Sequence, residues 1–400
     1  MRCLDTAKRK AIKTKNAQEW ANYRKLQNRI NNKVKTTKAS YYHNSFIQSE
    51  GNARRTWKTI NNLMSRRQGD QIVKDVKVND ISICNSNEIS NAFNEHFSTI
   101  GPRLDREMPL TSDEESIYLK NITENYNKFC FRPTTTSDVF THLNKLSKTK
   151  ATGLDNISAR LIRECADIIS GPLCDLFNKS LMSSIFPDDW KCARVTPLFK
   201  QCEPFDLNNY RPISVISVVA KVFERIVYDQ LYNFLSSEEI ISKQQSGFRS
   251  LHSTVTALLE ATDSWAFNID RGYVNAVVFL DLKKAFDTVD HEILLTKMNR
   301  CGIQGKTLDW LKSYLTNRTQ RCSVNCCLSD FTTLKCGVPQ GTIVGPLLFL
   351  IYINDLPDCL SFSIPRMCAN DTHITYASSD LHLIQSSLSH DLKAKQMACV

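Results

Sequence analysis

The sequence has 400 residues, of which 42% are hydrophobic and 9% aromatic, so it can form two or three folded domains and is not a wholly disordered chain. Its formal net charge of +10 is uneven, because residues 1–70 hold 17 Lys and Arg against four Asp and Glu and the remainder sums to −3. The sequence contains no signal-peptide core and no apolar run long enough to span a membrane, so we predict neither secretion nor membrane insertion. We expect an intracellular protein of the nucleus or cytoplasm.

The basic N-terminal segment predicts amphipathic helices. Apolar and aromatic residues recur at steps of three and four over residues 8–68, with Lys and Arg on the opposite face. A cationic segment without a strong apolar face favours nucleic acid over a membrane as its partner. An ordinary solvated helix face explains the same pattern, and the sequence leaves that alternative open.

The fifteen cysteines are odd in number and scattered, and they include no C-x-x-C pair. This usage indicates reduced thiols in a cytosolic or nuclear protein. The cluster of Cys322, Cys326, Cys327 and Cys336 matches no familiar zinc-ligand spacing, so a hairpin with small buried thiols is the preferred interpretation.

Turn signals divide the middle of the sequence into helices and strands. A strand-like stretch from Asp75 precedes a helix near 86–100, residues 101–132 have the composition of a linker, and Thr134–Asp138 predicts a helix N-cap. The other predictions are helices near 159–166, 171–184, 217–235, 253–269, 291–301, 307–317 and 342–354, a strand over 192–200, a hairpin over 320–335, and two short strands around an Asn-Asp turn within 366–376.

The stretch Tyr273–Leu280 is rich in Val and aromatic residues and ends abruptly at Asp281. The continuous apolar run predicts a fully buried strand that delivers one carboxylate to a sheet edge. Two lysines, an aromatic residue and further acidic residues follow, a pattern that suits a divalent cation and a phosphate substrate. Taken alone, such an aspartate is more often a cap or a turn residue.

Seven stretches together resemble the reverse transcriptases of non-LTR (LINE-like) retrotransposons, close to the jockey-like group. The resemblance covers residues 130–390, and a weaker one covers the basic segment before it. One such stretch is modest evidence, whereas their joint order and spacing are specific. The stretches are KATGLDNIS (150–158), FPDDWKCARVTPLFK (186–200), NNYRPIS (208–214), QSGFR (245–249), VVFLDLKKAFDTVDH (277–291), GVPQGTIVGPLLFLIYINDLP (337–357) and CANDTHI (368–374).

This resemblance implies an RNA-directed DNA polymerase that uses two Mg²⁺ (or Mn²⁺) ions to join a dNTP to a primer 3′-hydroxyl on an RNA template. By resemblance, Asp281 ligates both ions, the backbone carbonyl of Leu282 contributes, and Asp371 lies in the second metal-binding turn. The family carries two adjacent aspartates in that turn and the first is a direct ligand, but this sequence has Asn370 there. An amide lacks the negative charge, so we expect activity lowered by roughly 10²- to 10⁴-fold.

The resemblance also implies a nucleotide pocket. Phe286 corresponds to the aromatic residue under the sugar, where a ring clashes with a 2′-hydroxyl and selects deoxynucleotides. Gln340 and Gly341 correspond to the loop against the nucleotide and template, where glycine permits close backbone approach. Without this context, Phe286 would be assigned to the core and the loop to an ordinary turn before a helix.

Four basic residues complete the implied site. Lys200 and Arg211 correspond to the cations that hold the triphosphate, a role suited to donors aimed at phosphate oxygens. Lys150 and Arg249 correspond to contacts with template or primer phosphates. Each would otherwise be an ordinary exposed cation.

We therefore predict an α+β right-hand polymerase, with fingers over 131–250 and a palm over 251–400 whose antiparallel sheet packs on helices. A basic helical segment and linker over 1–130 precede them. Compared with the family, the sequence is expected to lack the thumb and the endonuclease domain, as a partial copy of an element does. The alternative function is a non-enzymatic nucleic-acid-binding remnant of such an element.

Overall fold

The structure is a computed structural model, and it describes residues 2–64, 72–107 and 127–398. Contacts along the chain divide it into two compact units, Met1–Ile72 and Val73–Val400, and each is described by itself below.

Within residues 2–64, the smaller unit forms three helices, α1 (Arg2–Thr14), α2 (Ala17–Ile47) and α3 (Ala53–Leu63). The side chain of Asn16 caps α2 by accepting a hydrogen bond from the Gln18 N–H, and Asn52 caps α3 in the same way through the Arg55 N–H. None of the 31 residues of α2 is buried, so its basic side chains face solvent. Helices predicted for this segment are present over residues 2–63, and residues 65–68 of the prediction lie outside the described residues.

The larger unit alternates helices and strands. Thr135 caps the first helix after residue 127 with a reciprocal capping box to Asp138, which confirms the predicted N-cap. The elements of this unit are β1 (Val76–Val78), β2 (Ile81–Ile83), α4 (Ser86–Glu107), α5 (Thr136–Asn144), α6 (Ala159–Glu164), α7 (Ala166–Ser183), β3 (Cys192–Phe199), β4 (Tyr210–Val215), α8 (Val218–Ser237), α9 (Thr254–Asp270), β5 (Val274–Asp281), α10 (His291–Arg300), α11 (Lys306–Leu315), β6 (Thr319–Val324), β7 (Cys327–Leu328), β8 (Thr332–Thr333), α12 (Gly345–Tyr352), β9 (Ile364–Cys368), β10 (Asp371–Ser378) and α13 (Leu381–Ala398).

Three sheets lie within the described residues of the larger unit. Strands β5, β10 and β9 form a three-stranded antiparallel sheet in that order. A second sheet has the order β4-β3-β6-β7, with β8 also paired to β6, and its β3 and β6 run parallel. Strands β1 and β2 form a small hairpin. The chain is thus a mixed helix-and-sheet protein, as predicted.

The main core is helical and rich in aromatic residues. Phe177 of α7 stacks on Phe223 of α8 with ring centroids 4.5 Å apart, and the fully buried Trp310 of α11 packs edge-on against Phe223. The Trp310 indole N–H donates to Ser180 Oγ at 3.0 Å, so its buried polar atom is satisfied. This core supports the loops that carry the candidate site.

Two sequence-based expectations are wrong in part. Strand β5 is not fully buried, because only one face of its antiparallel sheet packs against a core cluster. Ala276, Val278 and Leu280 lie on that face, whereas Phe279 on the other face is 75% exposed and Asp281 faces solvent. The start of the predicted linker, residues 101–107, is helical and belongs to α4. Residues 108–126 of that prediction lie outside the described residues.

The predicted cysteine-bearing hairpin is confirmed, but the expectation of buried thiols holds for Cys322 alone, since Cys326 is exposed and Cys327 and Cys336 are half-buried. Strands β6 and β7 pair across a turn at Asn325 and Cys326, both of which have positive φ. Cys322 is fully buried, and this burial raises the pKa of its thiol well above the usual range.

No helix within 2–64, 72–107 or 127–398 is long and apolar enough to cross a lipid bilayer.

Candidate active site

Two carboxylates face each other where β5 ends and β10 begins. Asp281 and Asp371 are direct partners in the antiparallel register, so their side chains point to the same face of the sheet. Directly opposed residues have Cβ atoms about 5 Å apart, and like charges at that distance repel. Both residues are exposed, and no salt bridge in the described part of the chain involves either carboxylate. A cation between them would relieve this repulsion.

Asn370 lies in the tight turn between β9 and β10. The turn is closed by Ala369 in the left-handed conformation at φ +59°, and Asp371 is already the first residue of β10. The amide Nδ2 of Asn370 donates to Asp371 Oδ1 at 3.3 Å. Asn370 therefore touches the carboxylate pair but adds no charge to it.

The donor set fits a divalent cation in part. Asp281 and Asp371 supply two carboxylates and Asn370 an amide oxygen, all of which are oxygen ligands of the kind that Mg²⁺ accepts. Among the residues that the structure describes, no group of three or more His, Cys, Asp or Glu side chains is placed to hold a metal ion. An aspartate at position 370 would bring a third carboxylate to the turn. The side chain of Leu282, next to Asp281, packs against the main core and anchors this end of β5.

Three cations gather at the loop end of the β3–β4 hairpin. Lys200 directly follows β3, its backbone N–H donates to the Asn209 carbonyl at 2.8 Å, and Arg211 is the second residue of β4. The Nζ of Lys284 donates to the carbonyls of Asn208 and Tyr210 at 3.2 and 3.0 Å. This ties the loop after β5 to the hairpin.

The charges of these cations act on one another. Burial lowers the pKa of Lys284, and the neighbouring Arg211 and Lys200 lower it further, whereas Asp287 raises it. Lys200 and Arg211 are both exposed. A cluster of like charges with exposed donors is a favourable place for a polyanionic group such as a triphosphate.

Phe286 lies between the core and the surface. Its ring stacks on Phe349 of α12 with centroids 4.5 Å apart, and the ring of Phe248 meets it at 90° and 6.2 Å. One face of Phe286 is thus fixed by packing and the side chain remains partly exposed. A ring held in this way can exclude a ligand whose shape would clash with it.

The loop over residues 337–341 is tied to two other segments. Gln340 Nε2 donates to both carboxylate oxygens of Asp287 at 3.0 Å, and the Gln340 carbonyl accepts from the Ser214 N–H at 2.7 Å. Gly341 has φ +110°, and a Cβ on it would lie 2.5 Å from the Ser214 carbonyl oxygen. Glycine is required there by both backbone conformation and space.

Asp287 is the most perturbed acid of this loop cluster. Burial raises its pKa to about 6, while the hydrogen bonds from Gln340 and the charge of Lys284 oppose that rise. The carboxylate is therefore an internal acceptor for Gln340.

A buried acid of α8 holds the start of α12. Glu224 is fully buried, and its two carboxylate oxygens accept from the Tyr314 hydroxyl at 2.8 Å and from the Ile343 N–H at 2.6 Å. Burial raises the pKa of Glu224, and the charge of the buried Arg318 acts against that rise. Because Ile343 lies two residues after Gly341, this network fixes the position of the loop.

The two remaining predicted residues differ in their surroundings. Lys150 is exposed and lies at a cavity of about 330 Å³ that is also lined by Lys145, Lys221 and Arg225. Burial lowers the pKa of Lys221, and the charge of Lys150 lowers it further. By contrast, Arg249 Nη1 donates to the carbonyls of Ser242 and Gln245 at 2.9 and 3.1 Å, which closes its own turn.

Sequence reasoning missed four residues that organise this site. Lys284 and Asp287 lie inside the motif VVFLDLKKAFDTVDH, so the sequence marks their positions, but it does not reveal which residues they contact. Glu224 carries a weaker signal, as a charged residue on an otherwise apolar helix face. The fourth is Gln245, the first residue of the quoted QSGFR stretch, whose contacts are described below.

The chain is also similar in sequence to known proteins. Residues 200–395 match the family model described as reverse transcriptase (RNA-dependent DNA polymerase). The chain is 30% identical over 261 residues to a probable RNA-directed DNA polymerase from transposon BS of Drosophila melanogaster, an alignment that covers 64% of this chain and 28% of that protein. It is 32% identical over 231 residues to the RNA-directed DNA polymerase from the mobile element jockey of the same species, covering 56% and 24%.

A more distant match is the Pol polyprotein of the type-1 retrotransposable element R2 of Popillia japonica, 28% identical over 180 residues, covering 44% of this chain and 24% of that protein. The chain spans about a quarter of the length of these curated relatives. Residues 200–395 of the chain thus match the reverse transcriptase domain, and the chain is similar to RNA-directed DNA polymerases of jockey-like non-LTR retrotransposons.

Proposed function

We propose that this chain is the RNA-directed DNA polymerase domain of a non-LTR retrotransposon and that Asn370 weakens its catalysis. The observation that carries the proposal is the cross-strand pair Asp281–Asp371 beside a turn with Asn370. A reverse transcriptase domain implies a nucleic-acid template and primer and nucleotide substrates, and the family generally uses divalent metal ions.

In this proposal the chain forms fingers over 131–250 and a palm over 251–400, preceded by the basic segment and linker over 1–130. The antiparallel sheet β5-β10-β9 is the palm sheet, and the hairpin β3–β4 belongs to the fingers. Lys284 connects the two through its bonds to the Asn208 and Tyr210 carbonyls, so the cations and the carboxylates stand in a fixed relation.

Asp281, Asp371 and the backbone carbonyl of Leu282 would hold Mg²⁺ or Mn²⁺, with the amide oxygen of Asn370 in place of a carboxylate. When bound, the ions would supply Lewis-acid stabilisation for attack of the primer 3′-hydroxyl and departure of pyrophosphate. The protein's own contribution is the rigid strand pairing that aims both aspartates at one face.

Lys200 and Arg211 would bind the triphosphate, since both are exposed cations on the hairpin nearest to Lys284. Phe286, held from behind by Phe349, would lie under the sugar and reject a 2′-hydroxyl. Gln340 and Gly341 would contact the nucleotide and template through the backbone, because the Gln340 side chain is bonded to Asp287.

The nucleic acid would be held by several basic surfaces. Lys150, with Lys145 and Lys221 around the same cavity, offers cations to template phosphates. Arg249 would contribute through its remaining guanidinium donors, because Nη1 serves the turn itself. The exposed lysines and arginines of α1–α3 would add sequence-independent affinity.

The cost of Asn370 follows from charge. If the missing carboxylate weakens metal and transition-state binding by several kcal/mol, the rate falls by roughly 10²- to 10⁴-fold, since 1.36 kcal/mol is a factor of ten. The chain should therefore extend a primer slowly and be rescued by one substitution.

Primer extension on an RNA template tests the proposal. We expect the unaltered chain to give little product with Mg²⁺ and Asn370→Asp to give abundant product. Asp281→Asn in the Asn370→Asp background is the matched control and should abolish the gain, because it removes the opposite carboxylate. RNA binding without extension by Asn370→Asp would contradict the polymerase and favour a nucleic-acid-binding protein.

A further inference from the structure

The turn over residues 244–249 continues the sheet beyond its outer strand. The Met367 N–H of β9 donates to the Gln244 carbonyl at 2.9 Å, and the Ser246 N–H donates to the Met367 carbonyl at 2.8 Å. Gln245 and Met367 thereby form a parallel bridge. A short segment far away in sequence is thus bonded to the strand that leads into Asn370.

Gln245 reaches further, to the turn itself. The side chain is 1% exposed, and its Oε1 accepts from the Ala369 N–H at 2.9 Å and from the Gly247 N–H at 2.7 Å. Its Nε2 donates to the Ala369 carbonyl at 3.4 Å. Both backbone polar groups of the residue before Asn370 are therefore bonded to one buried amide. If either side moved, these buried groups would lose their hydrogen bonds, which costs free energy.

Gly247 makes the close approach possible. A Cβ on this residue would collide with the backbone nitrogen of Ala369 and lie 2.8 Å from its Cα. The residue thus has no room for any side chain, and the two turns meet backbone to backbone. This contact leaves the Ala369–Asn370 turn little freedom to shift.

The same turn also touches the candidate sugar-sensing residue. Phe248 has φ +54°, an unusual conformation for a bulky residue, and its ring meets Phe286 edge-on at 6.2 Å. Phe286 is therefore held between Phe349 on the core side and Phe248 on the outer side.

We propose that the turn over residues 244–249 is a positioning element of the active site. Gln245 fixes the Asn370–Asp371 turn opposite Asp281, and Phe248 fixes the ring of Phe286. The inference rests on the proposed polymerase function for the meaning of these positions. We call the Gln245 contact the first arm and the Phe248 contact the second arm. Each acts through other residues, so loss of Gln245 should change metal binding and loss of Phe248 should change discrimination between sugars.

Mn²⁺ binding tests the first arm without any polymerase assay. In the Asn370→Asp protein, Gln245→Met keeps the side-chain length but removes all three hydrogen bonds. We expect Mn²⁺ affinity, measured by electron paramagnetic resonance on the folded protein, to weaken about fivefold or more. The matched control is Gln230→Ala, because Gln230 of α8 holds the backbone of Arg132 by the same pair of bonds, 2.8 and 3.0 Å long, away from the site.

The control separates positioning from a general loss of structure. Gln230→Ala should leave Mn²⁺ affinity within about twofold of its parent. Equal affinity in the folded Gln245→Met protein and its parent would overturn the first arm. If Gln245→Met does not fold, hydrogen exchange in the Asn370→Asp protein decides, because Mn²⁺ should slow exchange of the Ala369 amide, and unchanged exchange at saturating Mn²⁺ would overturn the arm.

Nucleotide discrimination tests the second arm. In the Asn370→Asp protein, Phe248→Ala should lower the preference for dNTP over rNTP about fivefold or more, with KM for primer–template unchanged. Phe362→Ala is the control, since Phe362 is similarly exposed, 51% against 47%, and its ring packs on His390 instead. An unchanged preference with Phe248→Ala would overturn this arm.

These results remain distinct from failure of the proposed function. If Asn370→Asp binds Mn²⁺ through a Gln245-dependent site but never extends a primer, the polymerase proposal fails and the positioning role stands. If primer extension is restored while Gln245→Met changes neither Mn²⁺ affinity nor rate, the positioning role fails alone.

Discussion

Polar groups at the end of the sheet, where Asp281 and Asp371 lie, are exposed to water. Those that hold the neighbouring loops are buried and hydrogen-bonded to other protein groups. The two aspartates are exposed, oppose each other with like charge, and have no salt bridge within the described residues. By contrast, Glu224 and Gln245 are buried, and each oxygen of their side chains accepts at least one hydrogen bond from the protein.

The exposed carboxylates are therefore candidates for the reaction itself, whereas the buried polar groups maintain the fold. Exposed carboxylates can change with little effect on folding, because water solvates them in both states. Buried polar groups that hold loop backbones cannot, because removing one leaves its partners unsatisfied. We therefore expect substitutions at the edge to alter rate and substitutions behind it to alter stability, and the following predictions test that separation from the largest effect to the smallest.

Glu224→Ala should have the largest effect on stability. It leaves the Tyr314 hydroxyl and the Ile343 N–H without their acceptor and removes a carboxylate whose charge interacts with that of the buried Arg318. We expect a loss of about 3–5 kcal/mol in the free energy of unfolding, measured with urea. Glu239→Ala is the control, an acid 75% exposed in a surface pair with Lys243, and should cost less than about 1 kcal/mol. Similar losses of unfolding free energy in the two variants would contradict the expected difference between buried and exposed acids.

Asp287→Asn should stabilise the protein in a pH-dependent way. The folded-state pKa of about 6 lies above the ordinary value of 3.8, so ionisation of this group opposes folding above pH 6 and not below pH 4. The substitution removes that penalty but keeps only one of the two acceptor oxygens that Gln340 uses, so the gain is at most about 3 kcal/mol at pH 7.5 and is absent at pH 4. Unfolding curves at the two pH values measure the difference. A gain that is the same at both would contradict the assignment.

Gly341→Ala should destabilise the loop by about 1–3 kcal/mol, because φ +110° is strained for alanine and the Cβ would press on the Ser214 carbonyl. Gly171→Ala is the matched control, since Gly171 lies inside α7 with nothing within 4 Å of its added Cβ. That substitution should be neutral or stabilising by up to about 1 kcal/mol. Thermal unfolding of both variants compares them directly, and a stable Gly341→Ala protein would refute the close contact.

The smallest effect concerns the basic helices. Replacing the exposed Lys33, Lys35 and Lys38 of α2 by Gln should leave catalysis unchanged but lower the salt dependence of RNA binding. Each lost phosphate contact reduces the slope of log affinity against log salt by about 0.7. Binding titrations at several salt concentrations measure it. The same slope in the triple variant and its parent would remove α2 from the nucleic-acid contact.

The sequence predicts the linear features of this molecule well. The capping box at Thr135, the strand ending at Asp281 and the paired strands around Asn370 all follow from local pattern, because caps, strands and tight turns depend on neighbouring residues. The assignment of residues 200–395 to the reverse transcriptase family confirms the interpretation of the joint motifs. The individual roles of the site residues stay predictions.

What the sequence does not predict depends on contacts between distant segments. The apolar run of β5 predicts more burial than the structure has, because the sequence of the strand does not show that only one face of its antiparallel sheet packs against a core cluster. Gln245 and Glu224 look like ordinary polar residues until Ala369 and Ile343, more than one hundred residues away, are placed against them. Their importance comes from burial that only the tertiary structure supplies.

The central claim is that one missing charge at position 370, and not the surrounding fold, limits catalysis. The most direct measurement is the single-turnover rate of nucleotide incorporation by Asn370→Asp relative to the unaltered chain, with the same primer, RNA template and Mg²⁺ concentration. We predict a ratio of about 10²–10⁴. A ratio near one would contradict the account.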